Sequence, residues 1–206
     1  MDPSQTQPPS INITLDISPS TYDQSDPDNI PELTIKATLD STTAKGPITI
    51  LTYPTIFNPQ LALKRRNFFV LDITESLNAP RYVNLEITKG PNRAALQRRK
   101  GHTDERFYLT LHPGVEHTLS VPFNVVRRQP LDHSLGNGLA TEKGFHAGHK
   151  YRLGVADESK DVKTWWWGTR DDVLDEKDGP VKDVSGMEGV GCVRIVAGTA
   201  DFAVEG

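Results

Sequence analysis

The chain contains one cysteine, Cys192, which excludes an intrachain disulfide framework and any multi-cysteine zinc module. It contains no apolar run of 18 residues, so no segment reads as a membrane-spanning helix. No stretch of about twelve residues keeps a helical period. The 16 glycines and 15 prolines in 206 residues fall below the low-complexity range. The segment Met1–Ser10 lacks the basic and apolar regions of a secretory signal, and neither end carries a lipidation signature. The expectation is a cytoplasmic, soluble chain with a disordered tail over 1–10 and one β-sandwich domain over 11–206. Without secretion the sequon Asn12-Ile13-Thr14 is inert.

The apolar share is modest at 36%, but it is concentrated in short clusters. Ile11, Ile13, Leu15 and Ile17 alternate with polar residues, and Leu33, Ile35, Ala37 and Leu39 repeat the pattern. Further β-rich runs are Ile48–Tyr53, Phe68–Ile73, Tyr82–Ile87, Phe107–Leu111, Leu119–Val125, Tyr151–Val155, Val162–Trp167, Cys192–Val196 and Phe202–Val204. Gly- and Pro-containing turns separate them. This pattern predicts an all-β fold: a two-sheet antiparallel immunoglobulin-like sandwich with long loops and at most short helical turns. The best helical start is Thr169-Arg170-Asp171-Asp172, which approximates a capping box before Val173-Leu174, with Asp172 where Glu or Gln is preferred. Gln60–Lys64 and Arg93–Arg99 could each add a helical turn. Two long polar connections, 126–150 and 176–191, are candidates for functional loops.

Two local signals bear on the fold. Leu111-His112-Pro113-Gly114 reads as a turn feeding a strand, and Gly148-His149-Lys150-Tyr151-Arg152-Leu153 places a tyrosine at a strand start. In immunoglobulin-like sandwiches such a tyrosine bonds back to the backbone across a corner. The order PITILTYPTIF, TKGPNR, FYLTLHPG, VPFNV, GHKYRLGV and WWWGTRDDVL, over residues 33–175, resembles a group of uncharacterised fungal immunoglobulin-like β-sandwich proteins. A looser likeness, resting on L-x-P-G followed by a G-x-Y strand, is to the β-sandwich propeptides of deuterolysin-type proteases, whose H-E-x-x-H is absent here. The resemblance implies a sandwich and brings no catalytic residue.

Charge is segregated. The formal net charge is −4, yet residues 60–128 carry twelve basic and six acidic residues, while 1–59 and 155–206 are acidic. The dense parts are Lys64-Arg65-Arg66 and the stretch that includes Lys89, Arg93, Arg98, Arg99 and Lys100. Lys64, Arg65, Arg66, Arg98, Arg99 and Lys100 are therefore candidate anion-binding residues. The competing reading, which is preferred, pairs them with the protein's own acidic flanks. Nucleic acid is disfavoured as a partner because the pI is near 5.9 and no nucleic-acid-binding motif is present.

Catalytic signatures are missing: there is no G-x-S-x-G elbow, and Gly136-Asn137-Gly138-Leu139-Ala140-Thr141 lacks a phosphate-loop context. Cys192 reads as a small buried hydrophobe. His146 and His149 form a close pair, with His133 upstream and His112, Asp132 or Glu142 as conceivable third ligands, but the spacing matches no metal motif and no metal or cofactor is expected. On a strand, Trp165 and Trp167 face one way and Trp166 the other. Either another element covers Trp166, or the three indoles form an aromatic wall for a ligand. Trp165, Trp166, Trp167, His146, His149 and Tyr151 are therefore the candidate ligand-binding residues. The leading functional expectation is a non-catalytic binding or interaction protein of unknown ligand or protein partner. The alternative is a small cofactor-independent enzyme, for instance in fungal secondary metabolism, with its site among these residues and the 126–150 loop. Homodimerisation through an edge strand is a third expectation.

Overall fold

A computed structural model describes residues 8–23, 25–26, 28–77, 80–83, 96–123, 141–142 and 145–206. The strands are β1 (Ser10–Ser18), β2 (Thr21–Asp23), β3 (Glu32–Leu39), β4 (Ile48–Leu51), β5 (Phe68–Asp72), β6 (Arg81–Val83) and β7 (Tyr108–Leu111), followed by β8 (Glu116–Pro122), β9 (Thr141–Glu142), β10 (Lys150–Val155), β11 (Asp161–Val162), β12 (Trp165–Trp167), β13 (Val193–Ala197) and β14 (Ala200–Glu205). Two four-residue helices, α1 (Pro59–Ala62) and α2 (Arg170–Val173), and three short 3-10 turns complete the described elements.

Alternation decides which face of each long strand is buried. Ile11, Ile13, Leu15 and Ile17 of β1 are buried while the residues between them are exposed. β3 repeats this with Leu33, Ile35, Ala37 and Leu39, and pairs antiparallel with β1 from Ile11↔Leu39 to Ser18↔Glu32. A slip of one residue would turn both apolar rows outward, so the register is strongly specified.

The strands form three sheets, in the orders β11-β13-β1-β3-β8, β2-β14-β10-β5-β6-β9 and β12-β4-β7. The fold is thus mostly β, as expected, but the expectation of two purely antiparallel sheets is corrected. Among the described strands three pairings are parallel: β1 with β13, β14 with β2, and β6 with β9. Parallel neighbours need a crossover rather than a hairpin, so hairpin-like turn signals alone do not reveal them. The run Val162–Trp167 is also not one strand. It breaks at Lys163-Thr164, so that β11 joins β13 in the first sheet and β12 joins β4 in the third. The short strands β2 and β9 had no sequence signal. The expected runs over 84–87 and 124–125 lie outside the described residues; of the expected helical turn Arg93–Arg99, residues 93–95 also do, and residues 96–99 are not helical but pair with the segment at Asp175.

One core collects the inner faces of all three sheets: Ile11, Leu33 and Ile35 from the first, Val70, Leu153 and Phe202 from the second, and Ile48, Ile50 and Leu111 from the third. Each such side chain is worth about 1.5–3 kcal/mol of burial. The expected tail over 1–10 ends earlier than Ser10. Pro9 is buried and its carbonyl accepts the Arg194 amide at 3.2 Å, while residues 1–7 lie outside the described residues. No described helix is long and apolar enough to cross a membrane.

Candidate functional site

The tryptophan triplet is a packing device. Trp165 turns into the main core, and its Nε1 donates to the Gly191 carbonyl at 3.0 Å. Trp166 points the opposite way, as strand geometry requires, and there meets Tyr108, Val173, Leu174 and Val184 in a second apolar cluster. Its relative exposure is 8%, because α2 and the turn Ser185–Met187 lie over it. Trp165 and Trp166 are thus both covered by the protein itself, whereas Trp167 is half-buried against the main core. Asp172 fixes the roof: its carboxylate accepts the Thr169 amide at 2.8 Å and the Thr169 hydroxyl at 2.7 Å, which holds the start of α2. These bonds hold the Asp172 carboxyl below its ordinary pKa. The Trp166 Nε1 has no hydrogen-bond partner among the described residues.

The histidine pair is built around Tyr151. Gly148 takes a φ of 82°, a left-handed conformation that costs glycine nothing, and its amide donates to the Val204 carbonyl at 2.7 Å. This turn delivers Tyr151 into the core with no exposed surface. Its ring stacks on Phe202 at 5.4 Å and meets Phe145 edge-on at 4.8 Å. Its hydroxyl oxygen accepts the backbone amide of His146 at 2.7 Å, the back-bond expected of a corner tyrosine. His149 lies over Tyr151 at 6.2 Å, and its Nδ1 is 2.6 Å from Asp72 Oδ2 on β5. Asp72 is buried, and its Oδ1 accepts the Thr74 amide at 2.9 Å. A carboxylate–imidazole pair of this kind can fix the orientation of the ring. Neither His146 nor His149 belongs to a group of three candidate metal ligands among the described residues. His133, Asp132 and most of the 126–150 loop lie outside the described residues.

The basic segments separate into two kinds. Lys100 bridges Asp171 at 3.1 Å and Glu176 at 2.8 Å, and hydrogen bonds to these carboxylates, Glu176 foremost, raise its pKa. Arg98 lies 3.6 Å from the buried Asp175 and donates to the Lys182 carbonyl at 2.9 Å. Arg99 donates to the Lys177 carbonyl at 2.9 Å. Backbone bonds zip the same two segments together, from the Asp175 amide to the Arg98 carbonyl and from the Lys100 amide to the Asp175 carbonyl. The candidate anion residues Arg98, Arg99 and Lys100 are thus engaged internally by the acidic segment 171–177. By contrast, none of Lys64, Arg65 and Arg66 has a carboxylate partner among the described ion pairs. Lys89 and Arg93 lie outside the described residues.

Lys64 opens onto a groove of about 520 Å³, lined by Thr52, Tyr53, Phe57, Asn58, Pro59, Gln60, Leu61, Lys64, Arg106 and Phe107. The local sequence explains its floor. After β4 the chain turns tightly: the Thr52 amide and hydroxyl both donate to the Phe107 carbonyl, at 2.7 and 3.1 Å, and the Thr55 amide returns to the Thr52 carbonyl at 2.7 Å. Asn58 then caps α1, its side-chain oxygen accepting the Leu61 amide at 3.4 Å, with Pro59 at the first helical position. Arg106 and Phe107 reach the groove from the end of the 3-10 turn Thr103–Phe107, which is capped by His102, whose Nδ1 accepts the Asp104 amide at 3.1 Å. Tyr53 and Phe107 meet edge-on at 5.5 Å, and the Arg106 guanidinium lies 4.9 Å above the Phe107 ring. Arg106, like Lys64, has no carboxylate partner among the described ion pairs. Lys64 was legible as a candidate, but Arg106 and the aromatic walls were not. Cys192 is half-buried rather than fully enclosed.

Comparison of the chain with protein-family models, with curated proteins and with solved structures gives no match.

Proposed function

We propose that the protein is a non-catalytic binding protein that holds its ligand in the Lys64–Arg106 groove. One observation carries this reading. The groove has the size of a small-molecule site, with aromatic walls and two cations, while none of its lining residues is a carboxylate, imidazole or thiol. The carboxylate–imidazole pair Asp72 and His149 lies in a different part of the fold, tied into the packing of Tyr151. The same reading takes the fold as an immunoglobulin-like sandwich, supported by the Tyr151 back-bond and the Gly114 turn, whose amide reaches the Leu39 carbonyl at 2.8 Å. The likeness to the fungal sandwich proteins, a cytoplasmic location, and pairing of two copies through β8, the last strand in its sheet order, belong to the same proposal. Nucleic acid fits poorly as the partner, because Arg98, Arg99 and Lys100 are engaged by the protein's own segment 171–182.

The test is an amide NMR titration with a panel of small carboxylates, phosphates, amines and alcohols. Saturable shifts at Tyr53, Phe57, Lys64 and Arg106, with the ligands recovered unchanged, are expected. Shifts confined to His146–Tyr151, or chemical conversion of a bound compound, would favour the enzyme reading instead.

A further inference from the structure

We infer that the groove recognises an aryl anion: a flat aromatic body carrying one carboxylate or phosphate. This rests on the binding-groove reading above and adds the chemical class of the ligand. Three features converge on it. First, two cations line one groove, and neither has a carboxylate partner within 4 Å among the described ion pairs. Several other cations are matched by carboxylates, among them Arg152 with Asp201, Lys160 with Asp157, Lys100 with Asp171 and Glu176, and Arg170 with Glu105. What sets Lys64 and Arg106 apart from the other cations without a carboxylate is that both line one concavity, where their positive potentials add and favour an anion.

Second, the apolar part of the groove is aromatic. Tyr53 and Phe107 stand edge-to-face, and Phe57 is buried beside them. Such walls favour a flat ring over an aliphatic chain, because ring edges and faces carry complementary partial charges. Third, the Arg106 guanidinium rests on the Phe107 ring, which restrains it before any ligand arrives. A planar, restrained guanidinium suits the two oxygens of a carboxylate or phosphate, and Lys64 adds a point charge on the same groove. The groove volume of about 520 Å³ is within the range of small-molecule sites and admits a ring with one anionic group with room to spare.

The test uses benzoate, phenyl phosphate, benzyl alcohol, benzylamine and inorganic phosphate, titrated by calorimetry and by amide NMR. Benzoate and phenyl phosphate should bind with shifts at Tyr53, Lys64 and Arg106. Benzyl alcohol and inorganic phosphate should each bind about tenfold more weakly, a difference of ~1.4 kcal/mol, and benzylamine weaker still. A preference between the two aryl anions tells an organic acid from a phosphate ester, and either preference supports the inference. Lys64→Gln and Arg106→Gln should each cost about tenfold in affinity for both anions and leave benzyl alcohol unchanged. Lys36→Gln, at a position on β3 that pairs with Glu116 and is not among the residues lining the groove, should change nothing. Equal binding of benzoate and benzyl alcohol in the groove would overturn the anion class while leaving the groove a binding site. No shift at the groove with any probe would overturn both. Should either glutamine variant unfold, the ranking of probes on the unsubstituted protein still decides.

Discussion

Replacing Tyr151 with Phe removes one oxygen from the centre of the second sheet and leaves every ring contact in place. The ring stacks on Phe202, meets Phe145 and carries His149, so the apolar packing survives the change. What is lost is the acceptor 2.7 Å from the His146 amide. An unpaired buried donor costs about 1–3 kcal/mol. His146 itself is exposed, so water can partly recover its amide, and the expected loss lies near the lower end, ~1 kcal/mol. For a chain of this length that corresponds to a fall in Tm of roughly 2–4 °C. Tyr151→Ala, which empties a site with no exposed surface, should cost about 3–5 kcal/mol. Urea unfolding followed by tryptophan fluorescence measures both, because Trp165–Trp167 are packed in the folded state. The hydroxyl also ties the turn to β10, so exchange of the His146 amide with solvent should quicken in the Phe variant. A Tyr151→Phe midpoint equal to that of the parent, with the His146 amide still protected, would refute the corner as a structural bond.

Gly189 faces the Trp165 indole so closely that an added Cβ would lie 1.9 Å from its ring, and its amide donates to the Trp165 carbonyl at 3.0 Å. Gly189→Ala should therefore destabilise by about 1–3 kcal/mol and alter the near-ultraviolet dichroism of the tryptophans; a silent variant would show that the indole is free to move aside. Asp172→Ala removes the acceptor for the Thr169 amide and should cost roughly 0.5–2 kcal/mol, with red-shifted emission as the roof over Trp166 loosens. Unshifted emission in a destabilised variant would mean that the roof does not depend on this cap. Hydrogen bonds from Arg152 hold the Asp201 carboxyl below its ordinary pKa. A lowered carboxylate contributes stability at neutral pH and loses it as pH falls below the ordinary value of about 3.9 and through the folded-state pKa. The pair is partly exposed, so the contribution is about 0–1 kcal/mol, and Asp201→Asn should lower stability at pH 7 and flatten its decline in acid. An unchanged acid limb would place the titrating groups elsewhere.

Period-two alternation determined β1 and β3 almost to the residue, because a half-buried strand must separate apolar from polar side chains at every step. Local chemistry likewise announced the Asp172 cap, the Gly114 turn and the burial of Tyr151, since each depends on residues within a few positions of one another. Opposite orientations for Trp165 and Trp166 also followed from strand geometry, but which surface covered Trp166 did not. That required α2 and Ser185–Met187 to come back over it, which local periodicity does not encode. The partition of the basic residues was decided the same way. Arg98 and Lys100 look no different in sequence from Lys64, yet the first two meet carboxylates about 75 residues away while Lys64 and Arg106 line one groove. The pairing of His149 with Asp72 spans 77 residues and arises because β5 and β10 are neighbours. Parallel neighbours such as β1 and β13 are likewise fixed by the crossover that brings distant segments side by side. The sequence by itself determined which faces must be hidden, because burial is set residue by residue. Tertiary structure alone decided which charges were neutralised and which were left open, because that depends on distances between segments that share no local signal.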